Sequence, residues 1–128
     1  LMKINAIFKK KGEKFFRLEE EKEVLKSLKK NNCVIALGGG AFVNKTVRNN
    51  ILKNAVSIWL DNDLETLSKR TNWNKKRPLL DKKNNEIIIN KLYEERKNIY
   101  KLANYRINCT NLNKKNIADK IIIFYEKH

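Results

Sequence analysis

Apolar positions along this chain recur with two different periods, and the change of period divides it into elements. Phe15, Leu18, Leu25 and Leu28 line one side of a segment from Phe15 to about Lys30, the spacing of an amphipathic helix. "CVIAL" (Cys33 to Leu37) is instead an unbroken apolar run that stops at glycine, the pattern of a buried strand. Asn44 is a good N-cap residue, and a helix is expected from it to about Lys53. "AVSIWL" (Ala55 to Leu60) reads as a second buried strand closed by Asp61, and another helix follows from Asp63. Periodicity then fails from Thr71 to Glu86, a polar, basic stretch holding Pro78, and a long loop is expected there. A helix from about Ile87 to Asn104 and a short strand at "YRINC" come next. A last amphipathic helix carries Ile117, Ala118, Ile121, Ile122, Phe124 and Tyr125. Strands alternating with helices over 128 residues predict one α/β domain, residues 1–128, built on a parallel sheet.

Composition narrows the class without naming a function. With 41% hydrophobic and 34% charged residues the chain is ordinary for a soluble protein, and no apolar run nears the ~20 residues of a membrane span. The opening "LMKINAIFKKKGEKFF" has no signal-peptide core, so a cytoplasmic protein is expected. Cys33 and Cys109 have no metal-ligand spacing and sit in apolar surroundings, which predicts two reduced core thiols. The net charge of +15 would suit nucleic acid, but the lysines run from Lys3 to Lys127 amid abundant Asn and Ile. That is a bias of the whole chain rather than one patch, so a nucleic-acid partner is not expected and a monomer is.

Four features carry candidate chemistry. Gly38, Gly39 and Gly40 end the first apolar run, yet Ala41, Phe42 and Val43 follow where a Walker A loop needs Lys and then Ser or Thr. The triplet is therefore not a phosphate loop, and the spacing is wrong for a dinucleotide fingerprint. Either it is a tight turn, which one glycine would satisfy, or it bares backbone N–H groups to a ligand. Arg96 falls on the apolar stripe of Ile89, Leu92, Tyr93, Ile99 and Tyr100, where a guanidinium needs an acidic partner from the protein or from a ligand. Arg17, with Glu20 and Glu21 a turn later, reads by itself as a surface ion pair. Arg70 and Arg77 lie near and within the expected loop, the latter beside Pro78, where a closing loop could bring charge to a substrate.

Taken in order, "INAIFKKKGEKFFRLEEE", "VIALGGGAF", "RTNWNKKRPLL" and "EERKNIYKLANYRIN" closely resemble the shikimate kinase family over nearly the whole chain. The resemblance implies a P-loop kinase of the nucleoside-monophosphate-kinase-like fold that moves the γ-phosphoryl of ATP, with Mg2+, to the 3-hydroxyl of shikimate. It implies that Arg17 grips the shikimate carboxylate and that Glu20 orients it. It further implies that Gly38, Gly39 and Gly40 line the same pocket and that Arg96 is a second carboxylate ligand. Residues 1–32 would then belong to the substrate-binding region and residues 71–86 to the lid. Arg77 would reach the transferring phosphate, and Arg70 the ATP base.

The family's opening strand, Walker A loop and aspartate pair have no counterpart in the 128 residues. The expectation is accordingly a fragment of a longer kinase, short of its first strands and inactive alone, with its metal and phosphate ligands upstream. A catalytically dead binding module of the same family is the alternative.

Overall fold

The protein is described here by a computed structural model covering the backbone of residues 4–72 and 82–128 and the side chains of residues 11–69 and 86–128. Its contacts divide it into two compact units, one ending at Ala55 and one beginning at Val56.

In the first unit, helix α1 (Ile4–Ser27) is kinked at Gly12, whose φ of 82° and ψ of 171° are non-helical. Glycine is the residue that reaches this region without a Cβ penalty. The helix thus begins well before Phe15, and Ile4, Ile7 and Phe8 carry the helical spacing ahead of the lysine run at 9–11. A single 3-10 turn (Ala41–Val43) leads into α2 (Lys45–Asn54). Asn44 caps α2 as its residue type predicts, its side chain accepting from Thr46 N at 2.9 Å and Val47 N at 3.2 Å. Val24, Ala41, Phe42, Val47 and Ile51 form the core of this unit. Full burial of side chains such as Phe42 and Ile51 contributes about 1.5–3 kcal/mol each.

"CVIAL" departs from expectation. Residues 33–37 are neither helix nor strand, and Val34 is 96% exposed. A strand is buried only when neighbours pair its edges and cover its faces, and among the described residues this segment has no backbone hydrogen-bond partner. Cys33 is correspondingly exposed rather than a core thiol, whereas Cys109 is buried as expected.

The second unit is an α/β arrangement. Strands β1 (Ile58–Asp61) and β2 (Tyr105–Asn108) pair in parallel, with Ile58 opposite Tyr105 and Asp61 opposite Asn108. Parallel neighbours require a crossover, here provided by α3 (Leu64–Asn72) and α4 (Lys82–Tyr100). These helices take both ends of the expected 71–86 loop, while residues 73–81 lie outside the described part. Asp63 starts α3, its carboxylate accepting from Thr66 N at 3.2 Å and Thr66 Oγ1 at 2.6 Å. These bonds hold the Asp63 carboxyl below the usual carboxylate range.

Helix α4 stops at Tyr100, four residues short of the expected Asn104. The last residues tighten into a turn, with Leu102 N donating to Ile99 O and Ala103 N to Tyr100 O. Asn104 is drawn away to Ser57, taking bonds from Ser57 N (2.9 Å) and Ser57 Oγ (3.0 Å) and donating its own N–H to Ser57 Oγ (3.0 Å). This clamp fixes the register at the head of the two strands. Helix α5 (Lys114–Lys127) opens with a capping box between Asn113 and Asn116 and packs Phe124 on Tyr105, ring centroids 4.7 Å apart. Ile107 and Cys109 are the buried apolar centre.

Candidate functional site

The two units each carry part of the predicted site, and each part is built by local structure. In the first, Arg17 and Glu20 lie three apart on α1, where helical geometry places them on one face. Arg17 Nη1 donates to Glu20 Oε1 at 2.9 Å, and Glu13 Oε1 lies 3.9 Å from Arg17 Nε. The Glu20 carboxylate is well covered and Arg17 partly so. One carboxylate oxygen thus holds one nitrogen of the fork, and Nη2 makes no hydrogen bond among the described residues.

The glycine loop passes directly beside this arginine. A Cβ placed on Gly40 would stand 2.7 Å from both Cζ and Nη2 of Arg17, whereas one on Gly38 would meet Glu20 Oε2 at an ordinary 3.6 Å. Gly40 has φ of −85°, so its need is space rather than an unusual backbone angle. The loop is set by its own turn bonds, Ala41 N to Gly38 O at 3.1 Å and Val43 N to Gly40 O at 3.3 Å. Arg48, from α2, adds bonds from Nη1 to the carbonyls of Phe42 and Val43. The N–H groups of Gly38 and Gly40 have no partner among the described residues. Beside Arg17 a groove of about 420 Å³ is lined by Glu13, Lys14, Arg17, Leu18, Glu21 and Asn44.

In the second unit Arg96 is half-buried on α4, and no described carboxylate pairs with it. The structural-ion-pair account of this residue therefore has no partner to name among the described residues. Arg77 lies outside the described residues, and so does the side chain of Arg70, whose backbone is in α3.

A second cluster in this unit was not anticipated. Asp61, closing β1 and only 6% exposed, accepts from Arg106 Nε at 2.8 Å and Nη2 at 2.6 Å. The Tyr93 phenol of α4 lines the same cavity as Asp61; burial first, and then the Asp61 charge, push its pKa above the usual tyrosine value. The three residues share a polar cavity of about 250 Å³ with Asn62, Asp63 and Asn108 among others. The sequence did carry a signal, an arginine inside a four-residue strand and an aspartate ending its neighbour, but pairing them required the strand register. Among the described residues no three His, Cys, Asp or Glu side chains cluster to hold a metal ion. No described helix is long and apolar enough to cross a membrane.

In the second unit a parallel strand pair joined by a helical crossover defines the α/β class, and in the first Arg17 lies beside a glycine loop. Comparison with known proteins resolves the class further. The family model for shikimate kinase matches residues 1–126, and the chain belongs to that family. Shikimate kinases of Bartonella henselae and Sulfurihydrogenibium sp. are 39% and 38% identical to it, each over 94% of this chain. The chain spans 58% of the Bartonella protein and 72% of the Sulfurihydrogenibium one. Among solved structures, the shikimate kinase of Acinetobacter baumannii in complex with shikimate superposes with a TM-score of 0.84 at 30% identity. That match covers 94% of this chain and 68% of the other. The enzyme of Bacteroides thetaiotaomicron, at 21% identity and a TM-score of 0.79, shares the fold.

Proposed function

We propose that this chain supplies the acceptor-binding part of a shikimate kinase, the phosphotransferase that moves the ATP γ-phosphoryl to the 3-hydroxyl of shikimate. The observation that carries the reading is the Gly40–Arg17–Glu20 arrangement: the loop forgoes a side chain where the guanidinium lies, and Glu20 holds one arm of the fork. A carboxylate is the ligand such a fork matches, through two parallel N–H···O bonds. Membership of the family supplies the particular acid, and the Acinetobacter relative was solved with shikimate bound.

In this reading Arg17 and Arg96 bind the shikimate carboxylate, and the Gly38–Gly40 backbone lines the pocket. Residues 1–32 serve as substrate-binding region within a single kinase domain, and residues 71–86 as the lid. Fixing the acceptor orients its hydroxyl, and positioning with charge stabilisation provides most of phosphoryl-transfer catalysis. Arg77 would meet the charge developing on the transferred group, and Arg70 the nucleotide base. ATP and Mg2+ are the expected co-reactants, but the 128 residues contain no G-x-x-x-x-G-K-S/T loop and the described ones no metal cluster. The residues present therefore do not fit a metal–phosphate site, and turnover by the chain alone is not expected.

The test is isothermal titration of shikimate, and separately of ATP, into this chain and into a form extended by its upstream coding sequence, with circular dichroism to confirm folding. Shikimate binding that Arg17→Ala and Arg96→Ala each weaken supports the reading. Folded protein that binds no shikimate in either form would overturn it.

A further inference from the structure

The one strong charge pair between the strands, Asp61 with Arg106, coincides with a point where α4 touches the sheet. Residues two apart on a strand share a face, and register partners lie side by side. Trp59, Asp61, Arg106 and Asn108 therefore all project from one face of the β1–β2 pair. Arg106 reaches diagonally across it, its Cζ 5.4 Å from the Trp59 ring and its nitrogens on Asp61. Helix α4 meets this face twice. Tyr100 packs on Trp59 with ring centroids 5.8 Å apart, and Tyr93 lies at Asp61 in the shared cavity. The two tyrosines are seven residues apart, two helical turns or about 10 Å, and within roughly 20° of each other around the helix.

Arg96 lies between those contacts, three residues after Tyr93 and four before Tyr100. At 3.6 residues per turn its side chain leaves the helix about 40–60° to one side of the tyrosine stripe. The rotation of α4 therefore decides where the Arg96 guanidinium points. An apolar contact such as Trp59–Tyr100 tolerates sliding, while a phenol facing a buried carboxylate in a shared cavity is confined to the positions from which its hydroxyl can donate to it. Arg106 in turn fixes that carboxylate by binding one of its oxygens twice.

We propose that Asp61 is a positioning residue for Arg96: held by Arg106, it anchors Tyr93 and so sets the rotation of α4 at which Arg96 can engage the acceptor's carboxylate. This rests on the reading of Arg96 as a carboxylate ligand, and it adds a residue at the end of β1 to the machinery of acceptor binding.

The experiment is a double-mutant cycle on shikimate affinity in the protein form that binds it. Asp61→Asn and Tyr93→Phe are each compared in the parent and in an Arg96→Lys background, whose single ammonium cannot use the fork geometry. Each is expected to weaken binding in the parent, Asp61→Asn by about tenfold, and to add almost nothing when Arg96 is already Lys. Equal losses in both backgrounds, or no loss in the parent, would overturn the proposal. Tyr93→Phe keeps the ring and decides the matter should Asp61→Asn not fold. A parent that binds no shikimate removes the functional reading but not the test of position. In 15N spectra the Arg96 Nε–Hε resonance should then still move in Tyr93→Phe, and an unmoved resonance would overturn the anchoring itself.

Discussion

Gly40 and Arg17 occupy adjoining space so closely that a β-carbon on the first would stand 2.7 Å from the guanidinium carbon of the second. The atom that must yield is the tip of a long side chain, and the φ of Gly40 is one that alanine adopts freely. Gly40→Ala should therefore displace Arg17 from Glu20 without unfolding the chain. Expected is a loss of shikimate affinity of at least about tenfold, with a melting temperature close to the parent's. A melt lowered in parallel with affinity would mean that the glycine serves packing instead.

The two thiols should behave differently. Cys33 is exposed and Cys109 buried, so a thiol reagent added to native protein should modify one equivalent rapidly and the second only on unfolding. Cys33→Ser should abolish the rapid phase. Two fast equivalents would show that Cys109 is not enclosed.

Asn44 satisfies two of the N–H groups that open α2. Asn44→Ala should lower stability by about 1 kcal/mol and Asn44→Gly by only a few tenths, as urea denaturation would report. Equal effects of the two would point to lost side-chain packing in the neighbouring groove rather than to the cap.

Tyr93 should be visible in an alkaline titration. Burial and the Asp61 charge raise the pKa of its phenol in the folded state, so folded protein holds that proton more tightly than unfolded protein. The associated stability is fully present below the ordinary tyrosine value of about 10 and is lost as pH rises through the folded value. Phenolate absorbance should contain a component ionising above about 10 that Tyr93→Phe removes. If the component disappearing in Tyr93→Phe ionises at the ordinary value, the contact with Asp61 is not made.

Elements whose evidence is local were readable from sequence. Asn44 caps what it was expected to cap, and the period-3.6 helices appear. Strands form at "IWLD" and "YRIN", the first beginning three residues later than the expected Ala55 and taking in Asp61. Boundaries moved where a distant residue intervened, as when Asn104 left α4 to bind Ser57. "CVIAL" failed for a related reason: five apolar residues encode a propensity, but a strand also needs a neighbour, and none is supplied among the described residues. At the site, Gly38–Gly40 and Arg96 were conspicuous because each broke a local rule. Arg106 within one strand and Asp61 at the end of another were visible singly, but their association with each other and with Tyr93 depends on register and crossover, which no short window of sequence contains.

The Ser57–Asn104 clamp also bears on the order in which the chain assembles. Its partners are 47 residues apart, and closing a loop of that length costs about 3 kcal/mol of chain entropy before any contact returns it. Two four-residue strands offer little with which to offset that cost until the intervening helices have shortened the loop. The sheet is thus expected to form late, after α3 and α4. The Asp61 anchor would be among the last native features to appear in refolding and among the first lost when the protein is stressed.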